Sequence, residues 1–295
     1  MPARSTVGHL VAAAHPGPTA VVTSLAAVLG ASARLPARRL LTLTGAVLSG
    51  QLTIGWSNDL IDHGRDTLSG RRDKPLATGV LSPRVVRFAI GVAASTCVVL
   101  SSLCGRRAGA LHGVLVGSGW AYNLGLKQTP ASFVPYAVAF GALPQVPTLC
   151  DVPPRTAPAT RSVAGALLGI SAHLLNVLPD LADDRRTGVH GLPHRLSDRQ
   201  IRSAAAACLA AAGAAAQREV ALGRSGRAAL GAITGGLGSV VAVGRGTAPF
   251  YAAAAAALVD ALTLIAAARS GAAGSGATRS NRRPGNRERR GPSTR

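Results

Sequence analysis

Two short segments hold most of the acidic chemistry of this chain. One reads Asn58-Asp59-Leu60-Ile61-Asp62-His63-Gly64-Arg65-Asp66, the other Asn176-Val177-Leu178-Pro179-Asp180-Leu181-Ala182-Asp183-Asp184. Both contain the pattern N-x-x-x-D-x-x-x-D. Asp59, Asp62, Asp66 and Asp73 lie in or near the first, and Asp180, Asp183, Asp184 and Asp198 in or near the second, so eight of the twelve acids sit in two places. At about 100° per residue, Asn58, Asp62 and Asp66 step about 40° around a helix, with Asp59 in the same arc. Asn176, Asp180, Asp183 and Asp184 do likewise. Gly64 and Pro179 are expected to unwind or kink these helices.

A lone acid at a helix end is ordinarily a solvated cap. Two matching sets at the ends of apolar runs need another reason, because an acid near a membrane core is expensive and faces a cavity or a partner. Two such faces looking at each other repel unless cations lie between them. Hard cations such as Mg²⁺ take oxygen ligands, commonly one or two carboxylates together with substrate phosphates. Basic residues follow each segment: Arg65, Arg71, Arg72 and Lys74 after the first, Arg185 and Arg186 after the second. They suit a polyanion such as a diphosphate.

The elements that must position these groups are apolar. The chain has 295 residues, 47% hydrophobic and only 15% charged, with a mean hydropathy of +0.28. That excludes disorder as the main state. Glycine without a three-residue period excludes collagen, and the low charge disfavours an ordinary soluble globule. Apolar runs recur at about residues 19–33, 39–61, 81–103, 108–123, 132–150, 162–181, 201–222, 228–244 and 248–268. Most approach the roughly 20 residues that cross a bilayer as a helix. The runs are continuous rather than alternating, so helices are expected and a barrel is not. The expected fold is therefore all-α and polytopic, with about nine transmembrane helices. Small residues such as Ala205 to Ala207 and Ala252 to Ala257 permit close helix packing in lipid.

The net charge of +20 first suggests nucleic acid. Its distribution argues for a lipid bilayer instead. Residues 269–295 carry eight arginines against Glu288 and read as a disordered basic tail. The remaining excess is spread between apolar runs. With the first run entering from the cytoplasm, 14 basic residues fall on the cytoplasmic side and 10 opposite. Both acidic segments then face the cytoplasm, in a multi-pass protein of the cell membrane. Cys97, Cys104, Cys150 and Cys208 lack C-x-x-C spacing and read as packing residues. Residues 1–18 show no ordered signal-peptide regions and read as an N-terminal segment.

At the two acidic segments the sequence resembles the UbiA superfamily of intramembrane prenyltransferases. That family carries N-D-x-x-D-x-x-x-D near the end of its second helix and D-x-x-x-D near the end of its sixth, matched here by Asn58 to Asp66 and Asp180 to Asp184. Tyr122-Asn123-Leu124-Gly125-Leu126-Lys127 is similar to a Tyr…Lys segment after the family's fourth helix. Lys74-Pro75-Leu76-Ala77-Thr78-Gly79 resembles its Arg-Pro-(Ile/Leu)-Pro-Ser-Gly loop, with Ala77 where proline is common. The resemblance covers residues 19–268 and implies one domain there, with helices around a central cavity. It implies Mg²⁺ on Asn58, Asp59, Asp62, Asp66, Asp180 and Asp184, gripping a prenyl diphosphate donor. It also implies diphosphate contacts from Arg65, Lys74, Lys127 and Arg185, and Tyr122 near the allylic carbon. Asn176, on the same face, extends the substrate set.

The expected activity is Mg²⁺-dependent transfer of an isoprenyl group to an aromatic or quinone-precursor acceptor. A terpene cyclase on the same fold, or a transporter of a divalent cation or phosphorylated solute, are the alternatives. Of the minor signals, His190 and His194 have ligand spacing, but Gly191 and Pro193 place them in a loop. His173 reads as packing, or as facing the acceptor. Trp56 and Trp120 are expected at the membrane interface.

Overall fold

The computed structural model describes residues 5–186, 188–218 and 223–263, without the side chain of Asp183. The expected basic tail lies outside the described residues. Those residues are helical and contain no strand. The chain runs α1 (Thr6–Ala13), α2 (Pro16–Ser32), α3 (Ala37–Leu68), α4 (Pro83–Leu103), α5 (Arg106–Asn123), α6 (Val134–Ala142), α7 (Gln145–Leu149), α8 (Ala159–Val177), α9 (Leu181–Arg186), α10 (Asp198–Gln217), α11 (Arg224–Val243) and α12 (Ala248–Thr263). Two 3₁₀ turns, Leu126–Gln128 and Leu192–Arg195, follow α5 and α9.

Polarity is arranged inside out. On α3, Leu41 and Leu48 are exposed while Asp59, Asp62 and Asp66 are buried. On α4, Phe88, Val92, Val98, Val99 and Leu103 all point outward. Water would penalise such a surface, whereas hydrocarbon accepts it. Taken singly, α4 and α11 are long and apolar enough to cross a membrane, and α1 with α2 forms a third candidate bent by 71°.

Most apolar runs appear as helices close to their expected places, with differences that have local causes. Helix α3 extends through Gly64 to Leu68 without a break. At 32 residues it is about 48 Å long, well beyond a core of about 30 Å. Its last turns carry the first acidic segment. The run at 132–150 divides into α6 and α7 at Leu143-Pro144, where proline supplies no backbone donor. Residues 6–13 form a helix inside the expected N-terminal segment. Ser197 and Gln200 close a capping box that starts α10.

Helix α8 packs on α6 and α10, and α3 packs on α2 and α4. Any Cβ at Gly165 or Gly169 would strike the backbone oxygens of Phe140 or Tyr136, so these glycines let α8 approach α6. Trp56 and Trp120 both find hydrogen-bond partners inside the protein. The Trp56 indole is buried and donates to the Leu10 carbonyl at 2.8 Å, tying α1 to α3. Trp120 donates to Thr53 Oγ1 at 3.2 Å. Interior acceptors satisfy both N–H groups more directly than a headgroup region would.

Candidate active site

The helices enclose a cavity of about 190 Å³. Asn58, Tyr122, Asn123 and Asn176 bring polar groups to its wall, and Leu25, Leu115 and Leu143 apolar ones. Both acidic segments thus contribute an asparagine to one cavity.

The first segment sits on the rigid end of α3. Asn123, at the end of α5, donates to Ile54 O and Ser57 Oγ at 2.9 Å each and accepts from Asn58 Nδ2 at 3.2 Å. This lock holds the start of the loop that turns at Gly125 (φ 151°) into the 3₁₀ turn bearing Lys127. Lys127 Nζ then donates to both carboxylate oxygens of Asp62 at 2.6 Å each. The lysine side chain is 7% exposed and that of Asp62 11%. Arg65 Nη2 stands 3.2 Å from Asp62 Oδ2. Asp66 is buried one turn on, within electrostatic reach of Lys74, Arg65 and Asp62.

Asp59 has its own partners. Lys74 Nζ donates to Asp59 Oδ1 at 2.5 Å, and His15 Nε2 lies 2.9 Å from the same oxygen. Asp59 Oδ2 is buried without a hydrogen-bond partner. His15 lies at the break between α1 and α2 with φ 50°, a left-handed conformation that costs a non-glycine residue about 1–2 kcal/mol. Gly55 permits the elbow, since a Cβ there would collide with the Ala14 carbonyl. His15 also lines the cavity. Nothing in the local sequence around His15 marks it; its role comes from a contact 44 residues away.

The second segment is built differently. Helix α8 stops at Val177, and Pro179 lies in the turn before α9. The Asp180 amide still donates to Val177 O at 3.2 Å, and the Asp184 amide to Asp180 O at 2.8 Å. Arg71 Nη1 stands 3.4 Å from Asp180 Oδ1. Its Nε and Nη2 donate to Asp73 Oδ1 and Oδ2 at 2.9 and 2.8 Å. That fork holds the Asp73 carboxyl down at about 2 and raises the arginine further. Arg71 also senses the charge of Asp66, and Tyr122 senses both Asp62 and Asp184. Arg71, in the loop after the first segment, is thus the side chain that reaches the second.

Arg71 bridges Asp73 and Asp180. His194 Nε2 lies 3.2 Å from Asp184 Oδ2, whereas His190 is exposed. Arg185 donates to the carbonyls of His194 and Leu196 at 3.1 and 2.6 Å, so it braces the loop. His173 packs behind the rings of Tyr122 and Tyr136, with centroids 5.7 and 5.0 Å away. Its Nε2 is 3.0 Å from Ser132 Oγ.

The metal-ligand candidates offer oxygen donors only, from carboxylates and an amide, which suits a hard cation. Both Asp62 oxygens already converge on one positive group, and Asp59 Oδ2 lacks a partner. Among the described residues no three acids, imidazoles or thiols stand close enough to hold a metal without other ligands. An anion that brings its own oxygens would complete such a set.

The UbiA prenyltransferase family model matches residues 19–270. No curated protein matches the chain. The fold is similar to that of a UbiA homologue from Aeropyrum pernix K1, in its apo structure, at 17% identity and TM-score 0.69, over 85% of this chain and 98% of that one. It is also similar to a UbiA homologue from Archaeoglobus fulgidus bound to GPP and Mg²⁺, at 12% identity and TM-score 0.66, over 88% and 99%. A digeranylgeranylglyceryl phosphate synthase matches at 10% identity and TM-score 0.62, over 90% and 99%.

Proposed function

The chain belongs to the UbiA prenyltransferase family, and we propose that it transfers an isoprenyl group from a prenyl diphosphate to an aromatic or quinone-precursor acceptor, using Mg²⁺. The observation that carries this reading is that both acidic segments give an asparagine to the wall of one largely apolar cavity, while their acids hold basic partners, Lys127 on Asp62 and Arg71 on Asp180. Solved structures of the Archaeoglobus homologue bound to GPP or DMAPP with Mg²⁺ support it.

Asp62, Asp66, Asp180 and Asp184, with Asn58, are the residues that would hold the metal. When bound, Mg²⁺ supplies positive charge to the diphosphate as the carbon–oxygen bond breaks. Lys127, Arg65, Lys74 and Arg71 add fixed positive charge around the same anion, the form of catalysis that contributes most in such sites. The isoprenyl chain lies in the leucine-lined cavity. Tyr122 and Tyr136 present their rings to the allylic carbon, and the apolar walls keep water from capturing the cation. The acceptor attacks that carbon, then loses a proton. Tyr122, Tyr136 and Phe140 give the cavity an aromatic side suited to a ring acceptor.

On this reading the acidic segments face the cytoplasm in the cell membrane, which the nearby Arg65, Arg71, Arg72, Lys74 and Lys127 support. Residues 19–268 form the catalytic unit. Mass spectrometry of products from purified protein, Mg²⁺, donors of several lengths and an acceptor panel tests the reading. A prenylated acceptor, lost with EDTA, is expected. A product formed equally without acceptor would mean cyclisation instead, and metal or solute flux into liposomes without any product would mean transport.

A further inference from the structure

We propose that Lys127 guards Asp62, so that divalent metal and diphosphate enter the site together and neither binds well alone. The inference rests on the diphosphate reading above. Its basis is the double hydrogen bond from Lys127 Nζ to Oδ1 and Oδ2 of Asp62, 2.6 Å each. One ammonium thus uses both oxygens of the carboxylate, and both side chains are nearly enclosed. The other acids have protein cations too: Lys74 and His15 on Asp59, Arg71 on Asp180, His194 on Asp184.

Breaking an enclosed ion pair by removing one partner is strongly unfavourable, because the other charge is left buried and unpaired. A divalent cation arriving alone at Asp62 would strand the Lys127 ammonium. A diphosphate arriving alone and drawing Lys127 away would leave Asp62 with only the more exposed Arg65 guanidinium, 3.2 Å from Oδ2. When both arrive, the carboxylate passes to the metal and the ammonium to the diphosphate, and no charge is left unpaired. Lysine suits this exchange, since its charge sits on a flexible four-carbon stem. The backbone beneath need not move: the Gln128 amide is held to Gly125 O at 3.0 Å, and Gly191 packs against the Lys127 carbonyl. Two ligands linked this way help each other reciprocally.

The test uses the purified full chain in detergent, titrated with Mn²⁺ and inorganic pyrophosphate, followed by calorimetry and thermal shift. Free Mn²⁺ is corrected for the complex that pyrophosphate forms in solution. Wild-type protein is expected to gain little from either ligand alone and to bind Mn²⁺ at least about 10-fold more tightly with pyrophosphate present. Lys127→Met is expected to bind Mn²⁺ alone more tightly than wild type and to lose most of the pyrophosphate enhancement. Lys127→Arg, which keeps the charge, is expected to retain the enhancement, and wild type alone suffices should Lys127→Met fail to fold. Equal Mn²⁺ affinity with and without pyrophosphate in wild type would overturn the exchange. So would unchanged Mn²⁺ affinity in folded Lys127→Met. No response of wild type even to the two ligands together would overturn the diphosphate reading as well.

Discussion

The two acidic segments share a spacing but differ in how they are held. The first lies on an unbroken helix, with the Asp59 and Asp62 side chains 2% and 11% exposed and each engaged by two cationic or imidazole groups. The second follows a helix that ends before Pro179, and its Asp180 and Asp184 side chains are 48% and 24% exposed. One half is preorganised by buried charge pairs, while the other is set by a short turn and a brace from Arg185. Equal spacing in sequence therefore does not mean equal energetics. On the proposed reading the first half supports fold and chemistry together, and the second serves mainly chemistry.

Exchanging acids in the two halves sharpens this contrast. Asp62→Ala is expected to reduce Mg²⁺-dependent pyrophosphate release from geranyl diphosphate by about 1,000-fold, and Asp180→Ala by about 100-fold. Wild-type rates in either would remove that residue from the site. Stability should separate them more clearly. Asp62→Ala leaves Lys127 buried and unpaired and is expected to cost about 3–5 kcal/mol in denaturant unfolding. Asp180→Ala gives up a half-exposed pair worth less than about 1 kcal/mol. Equal destabilisation would erase the distinction drawn here.

A smaller effect is expected at the break itself. Pro179→Ala lets the turn relax toward a continued helix and re-aims Asp180. Activity should fall about 10-fold, the scale of a modest misplacement, with stability changed by less than about 1 kcal/mol. An unchanged rate would mean that the turn does not set the aim of Asp180. The smallest effect concerns Arg71 and Asp73. With its folded value near 2, the Asp73 carboxyl contributes stability that is fully present above its ordinary value and lost as pH falls through about 2. Thermal stability between pH 5 and 8 should therefore be the same in shape for wild type and Arg71→Met. A new acid-side slope in that window confined to wild type would contradict the pairing.

What the sequence made legible follows from rarity. Acids are few in an apolar chain, so two matched sets stand out, and helical spacing alone puts Asn58, Asp62 and Asp66 on one face. The helical, inside-out architecture was likewise readable from continuous apolar runs. Lys127 emerged only through the similarity of its segment to a family pattern, because a single lysine has no periodicity. His15 escaped the sequence reading, and Arg71 stood there only as one of several basic residues, for a physical reason: each gains its role from a distant contact, His15 with Asp59 and Arg71 with Asp180. Arg185 holds the carbonyls of His194 and Leu196, a contact that adjacency to an acid does not reveal. The division of the 132–150 run was signalled by Pro144 and hidden by the hydrophobicity on either side.

The central claim is that Asp62 and Asp180 grip the same diphosphate. A double-mutant cycle tests it, with binding of a non-ionising geranyl thiolodiphosphate measured by calorimetry in Mg²⁺ for wild type, Asp62→Asn, Asp180→Asn and the double variant. Each single change is expected to weaken binding by about 10-fold or more, and the double variant little further, because neighbours sharing one ligand couple. Losses that multiply as if from independent sites would contradict the account.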